Sequence, residues 1–133
     1  MAKISTDLQQ SQELAKILPI ESADMWYITT QPCEIQIDAG GFGHLVKNGD
    51  EYTHLSLTPL DREGTVAIAQ YKETPAWSLP ALLEVIRNNG RYELEMWEGG
   101  YNFESGDIMT EPVFDAIDAC VEMIINLSER GLI

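Results

Sequence analysis

Three carboxylates, an indole and an amide are spaced to share one surface: Glu93, Glu95 and Trp97 alternate along one segment, and Asn102 and Glu104 alternate along the next. Alternate residues of a strand project to the same side, and Gly99-Gly100 between the two segments has the composition of a two-residue hairpin turn. With those glycines as the turn, Met96 faces Phe103, Glu98 faces Tyr101 and Glu95 lies directly opposite Glu104. Like charges placed opposite one another repel. A cation, a proton shared by the two carboxylates, a basic partner, or rotation of both side chains into water would each relieve that repulsion. Two carboxylates about 5 Å apart also have the spacing of retaining glycosidases, but one short hairpin offers little to cradle a sugar. A contact surface fits better, because Trp97 projects opposite an apolar face of Tyr92, Leu94, Met96, Tyr101 and Phe103, and aromatic residues are enriched at interface hot spots.

The remaining chemistry-bearing residues are sparse. His44 and His54 are the only histidines. They flank Asn48-Gly49, which has the composition of a type I′ hairpin turn between Gly43-His-Leu-Val-Lys and the strand beginning Asp50-Glu-Tyr. That turn pairs His44 with Thr53 and His54 with Gly43, on opposite faces. A one-residue bulge would bring the imidazoles together, and a metal would still need a third ligand from elsewhere. Asp38-Ala-Gly-Gly-Phe-Gly-His follows an apolar run but contains no GxGxxG or GxxxxGK, and the sequence after it reads as hairpin rather than helix, so it predicts a twisted turn and not a phosphate cradle. Cys33 and Cys120 stand in no CxxC or Cys/His pattern and are expected as free, buried thiols. No Gly-x-Ser-x-Gly or comparable nucleophile arrangement is present, so the sequence leans away from an enzyme and no cofactor is expected.

Charge bounds the partners. Twenty-two acidic residues against eight basic give a net charge of −14. The basic residues are scattered singly, which argues against nucleic acid and anionic membrane; the acidic surface reads first as one that maintains solubility, and where it has a partner, a basic protein or a second copy is expected. An N-terminus without an apolar core segment, and the absence of any run of roughly 20 apolar residues, predict a chain that stays in the cytoplasm.

The elements that must position these groups follow from periodicity and caps. Residues 7-18 are expected as a helix, with Thr6 and Gln9 as its capping box, Leu8, Leu14, Ala15 and Leu18 as its stripe and Pro19 as its end. Met25 to Thr30 and Cys33 to Asp38 read as consecutive strands joined at Gln31-Pro32, and Thr65 to Lys72 as another. A helix over 79-89 is capped by Ser78, and a final helix over 112-130 is capped by Thr110 and stopped by Gly131. Trp77 and Trp26 read as residues that seal core edges. The sum is a single α+β domain over 1-133: a mainly antiparallel sheet of five to seven strands, with at least the last helix packed across one face.

The segments Glu13-Leu-Ala-Lys-Ile-Leu-Pro, Leu79-Pro-Ala-Leu-Leu-Glu-Val-Ile-Arg, Phe114-Asp-Ala-Ile-Asp-Ala-Cys and the terminal Gly131-Leu-Ile resemble a loose group of small uncharacterised proteins of phages and mobile elements in gut bacteria. The resemblance implies an accessory-gene setting and carries no known activity. The leading functional expectation is a small acidic accessory or regulatory domain that binds a protein through Trp97, Glu93, Glu95, Glu104 and Asn102. A small-ligand binder or enzyme assembled from dispersed residues such as His44, Glu95 and Glu104, and a homo-oligomeric structural protein, stand as alternatives.

Overall fold

The computed structural model describes residues 3–59, 69–90, 92–105 and 108–133. Within them the α+β class is realised as three α-helices and seven strands, and every strand pairing is antiparallel. The strands form two sheets, of four and three strands, where the sequence suggested one.

The first sheet is organised by β1 (Met25–Ile37), a single 13-residue strand where the sequence predicted two. β3 (Tyr52–Ser56) and β4 (Ala69–Ala76) both pair with its N-terminal half, and β2 (Gly43–Lys47) pairs with Cys33 to Ile37. Pro32 does not break the strand. It has no N–H to lose, and residues 48–51, between β2 and β3, step past it, with Asn48 N–H donating to the Pro32 carbonyl at 2.9 Å. Asn48-Gly49 is therefore no hairpin turn. β2 and β3 follow one another along β1 in the same direction, so His44 lies opposite Gln36 and His54 opposite Ile28 instead of the predicted Thr53 and Gly43. Of the strand expected at Thr65 to Lys72, residues 65–68 lie outside the described residues, and β4 carries it on to Ala76.

The helices start where side chains can take up their free N–H groups. α1 (Leu8–Ala15) is capped by a reciprocal pair one residue later than expected, Asp7 with Gln10. Thr6 is buried and instead hydrogen-bonds Ser11 and the Trp77 N–H. α1 also ends earlier than Leu18, and of its expected stripe Leu14 and Leu18 are buried while Leu8 and Ala15 are exposed. α2 (Leu79–Asn88) is capped by Ser78 as predicted, and the Asp24 carboxylate accepts from both the Ser78 N–H and its hydroxyl. α3 (Ala116–Glu129) begins at an Asp115 cap rather than at Pro112, because the preceding residues are engaged elsewhere: Val113 bridges to Tyr101, and the Thr110 hydroxyl accepts from the Phe103 N–H. It ends at Glu129, and Gly131 just beyond, with a φ of +70° that suits glycine, turns the chain away.

α3 lies at the centre of the core. Ile117, Cys120, Ile124 and Leu127 share one buried cluster with Leu82 and Ile86 of α2, Leu14 of α1, Trp77 and Phe103. At about 25 cal/mol per Å² of apolar surface removed from water, this cluster is the main stabilising contribution.

Cys33 and Cys120 are both free and buried. Burial first, and the nearby Asp115 charge second, push the Cys120 thiol up to about 12 from an ordinary value of 9.0. Between those values the native chain keeps a proton that the unfolded chain has lost, so stability falls as pH rises, by up to about 1.4 kcal/mol per unit. Below that window the thiol is neutral in both states and contributes no pH dependence. Urea unfolding from about pH 8 to 11 will show a shallower decline for Cys120→Ala than for the parent protein, and parallel declines would refute this assignment.

Candidate interaction surface

The second sheet comprises β5 (Glu93–Trp97), β6 (Gly100–Ser105) and β7 (Ile108–Met109). α3 covers one face, where Leu94, Tyr101 and the fully buried Phe103 join the core. The hairpin turns at Glu98-Gly99, not at Gly99-Gly100, which shifts its register by two residues. Glu93 lies opposite Glu104, Leu94 opposite Phe103, Glu95 opposite Asn102, Met96 opposite Tyr101 and Trp97 opposite Gly100. Because the side-chain period of a strand is two, a two-residue shift changes every cross-strand partner and leaves each face unchanged. Trp97, Glu93, Glu95, Glu104 and Asn102 do share the face turned away from α3. The like-charged pair is Glu93 with Glu104, and Glu95 does not face Glu104 as the sequence suggested.

Gly100 makes the surface possible. Opposite Trp97 it contributes no side chain, and the indole Nε1–H donates to Asn102 Oδ1 at 2.5 Å. Asn102 is buried beneath it while Trp97 itself remains 57% exposed. A hydrogen-bonded, exposed indole presents a large contact area at little further cost in side-chain entropy. Glu95 is half-buried, and its Oε2 is shielded from solvent without a hydrogen-bond partner. Glu93 and Glu104 are exposed, and among the described residues no ion pair reaches any of the three. The sequence reading missed Met109, which lies opposite Glu104 on the same face and is 68% exposed. A two-residue strand gives no alternation by which to recognise it.

The histidines are not part of this surface. The Asp38 carboxylate closes the β1–β2 turn by accepting from the Gly40 and Phe42 N–H groups, each at 2.9 Å, and it meets His44 Nε2 at 2.8 Å. His44 first, then the Phe42 N–H, hold Asp38 below its ordinary value. The glycine-rich stretch is thus a turn closed by Asp38, whose carboxylate takes the Gly40 and Phe42 N–H groups and whose carbonyl takes that of Gly41. His54 stacks near Tyr52, with ring centroids 6.5 Å apart. His44 belongs to the four-stranded sheet, whereas Glu95 and Glu104 belong to the three-stranded one. Among the described residues no group of three or more His, Cys, Asp or Glu side chains could hold a metal ion, and no helix is long and apolar enough to cross a membrane.

No protein-family model matches the chain, and comparison with curated proteins and with solved structures finds no match at a significant level.

Proposed function

We propose that the protein is a small acidic accessory or regulatory domain, of the kind carried by phages and mobile elements, that binds a basic protein through the outer face of the β5–β6 hairpin. The observation that carries this reading is the exposed Trp97, fixed over Asn102 among carboxylates that form no ion pair with a described residue. Basic side chains docking there would relieve the Glu93–Glu104 repulsion and offer a donor to Glu95 Oε2, while the net charge of −14 would steer a basic partner inward. Tryptophan is among the residue types enriched at interface hot spots, and a polar, solvent-accessible rim surrounds the core of such interfaces.

The test is affinity capture from host lysate with the parent protein and with the variant Glu93→Lys, Glu95→Gln, Glu104→Lys, each at low and high salt. A basic protein held by the parent at low salt, released at high salt and not held by the variant is the expected result. In the purified pair, Trp97→Ala should weaken binding by about 2 kcal/mol, roughly 30-fold. Equal retention by parent and variant would overturn the reading. Self-association through the same face predicts instead a defined oligomer in sedimentation equilibrium that Trp97→Ala dissociates.

A further inference from the structure

A second polar surface lies on the four-stranded sheet, on the side where α1 packs. Lys72 of β4 lies opposite Thr29 of β1, and Thr29 lies opposite Thr53 of β3. The two threonine hydroxyls are hydrogen-bonded at 2.8 Å. Two residues along β1, Gln70 lies opposite Gln31. Gln31 is held by donation from its Nε2 to the Gly49 carbonyl at 2.5 Å, which leaves its amide oxygen available. Leu8 and Gln12 of α1 form one wall of the resulting groove and Glu51, just before β3, lines it as well; its volume is about 290 Å³. That is at the lower end of small-molecule sites and suits a ligand no larger than one amino acid.

The charges define the ligand further. Lys72 and Glu51 are exposed, and neither forms an ion pair with a described residue, although acidic residues outnumber basic ones nearly threefold. The field of the whole protein repels a ligand with net negative charge. A carboxylate bound by Lys72 is therefore favoured when its molecule also carries a positive charge. Lys72 and Glu51 come from β4 and from the approach to β3, the two strands that flank β1. Both side chains line the same groove as the Thr29 and Gln31 rows.

We propose that this groove binds a free α-amino acid, with its carboxylate on Lys72, its ammonium on Glu51 and its polar side chain hydrogen-bonded by the Thr29, Thr53 and Gln31 row. This site is independent of the acidic hairpin face, and either can stand without the other. A neutral polyol would hydrogen-bond the same groups but pair with neither charge, the weaker of the two kinds of contact. An inorganic anion would use Lys72 alone, against the field of the protein.

The experiment is an NMR titration of the ¹⁵N-labelled chain with L-glutamine, with its N-acetyl amide derivative as the uncharged counterpart and with glucose as the polyol. Saturable shifts centred on Thr29, Thr53, Gln31 and Lys72, seen with L-glutamine only, are the expected result. Lys72→Gln and Glu51→Gln should each weaken binding about tenfold, since each removes one charge-assisted contact from an exposed position where folding is unaffected. The proposal is overturned if L-glutamine at about 10 mM produces no saturable shift, if the capped derivative or glucose binds as well, or if either variant binds L-glutamine as tightly as the parent.

Discussion

Replacing Gly100 with alanine should cost about 4 kcal/mol of stability, the sum of a strained backbone and an overpacked contact. Gly100 has a φ of +131°, and a Cβ built on it would lie 2.1 Å from the Val113 carbonyl oxygen and 2.6 Å from its carbon. Both obstacles are backbone atoms, so no rotamer change can make room. The closeness is enforced by the bridge beside it, in which Tyr101 N–H donates to Val113 and Val113 N–H to Tyr101 at 2.6 and 2.9 Å. Opening that bridge would detach the segment leading into α3 from β6. For a domain stabilised by about 5–15 kcal/mol the loss is a large fraction of the total. Gly99 is the control: its added Cβ would meet nothing within 4 Å and its φ is not positive, so Gly99→Ala should stay within about 0.5 kcal/mol of the parent. Urea unfolding followed by circular dichroism measures both, and a Gly100→Ala midpoint equal to that of Gly99→Ala would sink the argument. The same variant tests the surface, because a side chain opposite Trp97 would disturb the indole above Asn102.

Gly100 also shows why the register of this hairpin could not be read from sequence. Gly99-Gly100 offers two glycines for one turn, and local turn chemistry puts both inside it. The structure uses one in the turn and reserves the other for the close approach of Val113, a contact 13 positions downstream. The face assignment survived because the error was an even number of residues. The Asn48-Gly49 error was larger for the same reason, a local signal overridden by a distant strand. β2 and β3 each find a better partner in β1, whose apolar residues run on through Pro32. A proline inside a strand normally counts against it, and only the step taken by residues 48–51 beside it makes the 13-residue strand tolerable.

Where local chemistry and tertiary packing agreed, the elements were legible. Ser78, Pro80 and the spacing of Leu82 and Ile86 define α2, and the buried stripe from Ile117 to Leu127 defines most of α3. Thr110 looked like the cap of α3 and is a sheet residue, since its hydroxyl is taken by Phe103. Of the candidate surface, every member except Met109 was legible from period-two spacing alone. The pairing of Glu93 with Glu104 and the indole-to-amide bond were not, because both depend on the register. The groove beside α1 gave no signal at all: Thr29, Thr53 and Lys72 come from three strands that are adjacent only in space.

Trp77→Ala should be the most damaging side-chain truncation, at about 3–5 kcal/mol. Trp77 is fully buried, and it is fixed at three points. Its carbonyl accepts from Thr6 N–H at 2.9 Å, its own N–H donates to the Thr6 hydroxyl at 3.2 Å, and its indole N–H donates to the Ser22 hydroxyl at 2.9 Å. It therefore joins the segment before α1, the short 3-10 turn Ile20–Ser22 and the start of α2. Truncation leaves a cavity that these three pieces cannot close without breaking their mutual hydrogen bonds. Trp77→Phe separates the two contributions, because it keeps most of the volume and loses the bond to Ser22, for about 1–2 kcal/mol. Trp97→Ala, on an exposed side chain outside the core, removes the hydrogen bond to Asn102 and opens that amide to water, for about 1 kcal/mol. Thermal and urea unfolding of the three variants should rank them in that order. If Trp97→Ala destabilised the monomer as much as Trp77→Ala, the indole at Trp97 would be a packing residue and the outer hairpin face would lose its claim as a binding surface.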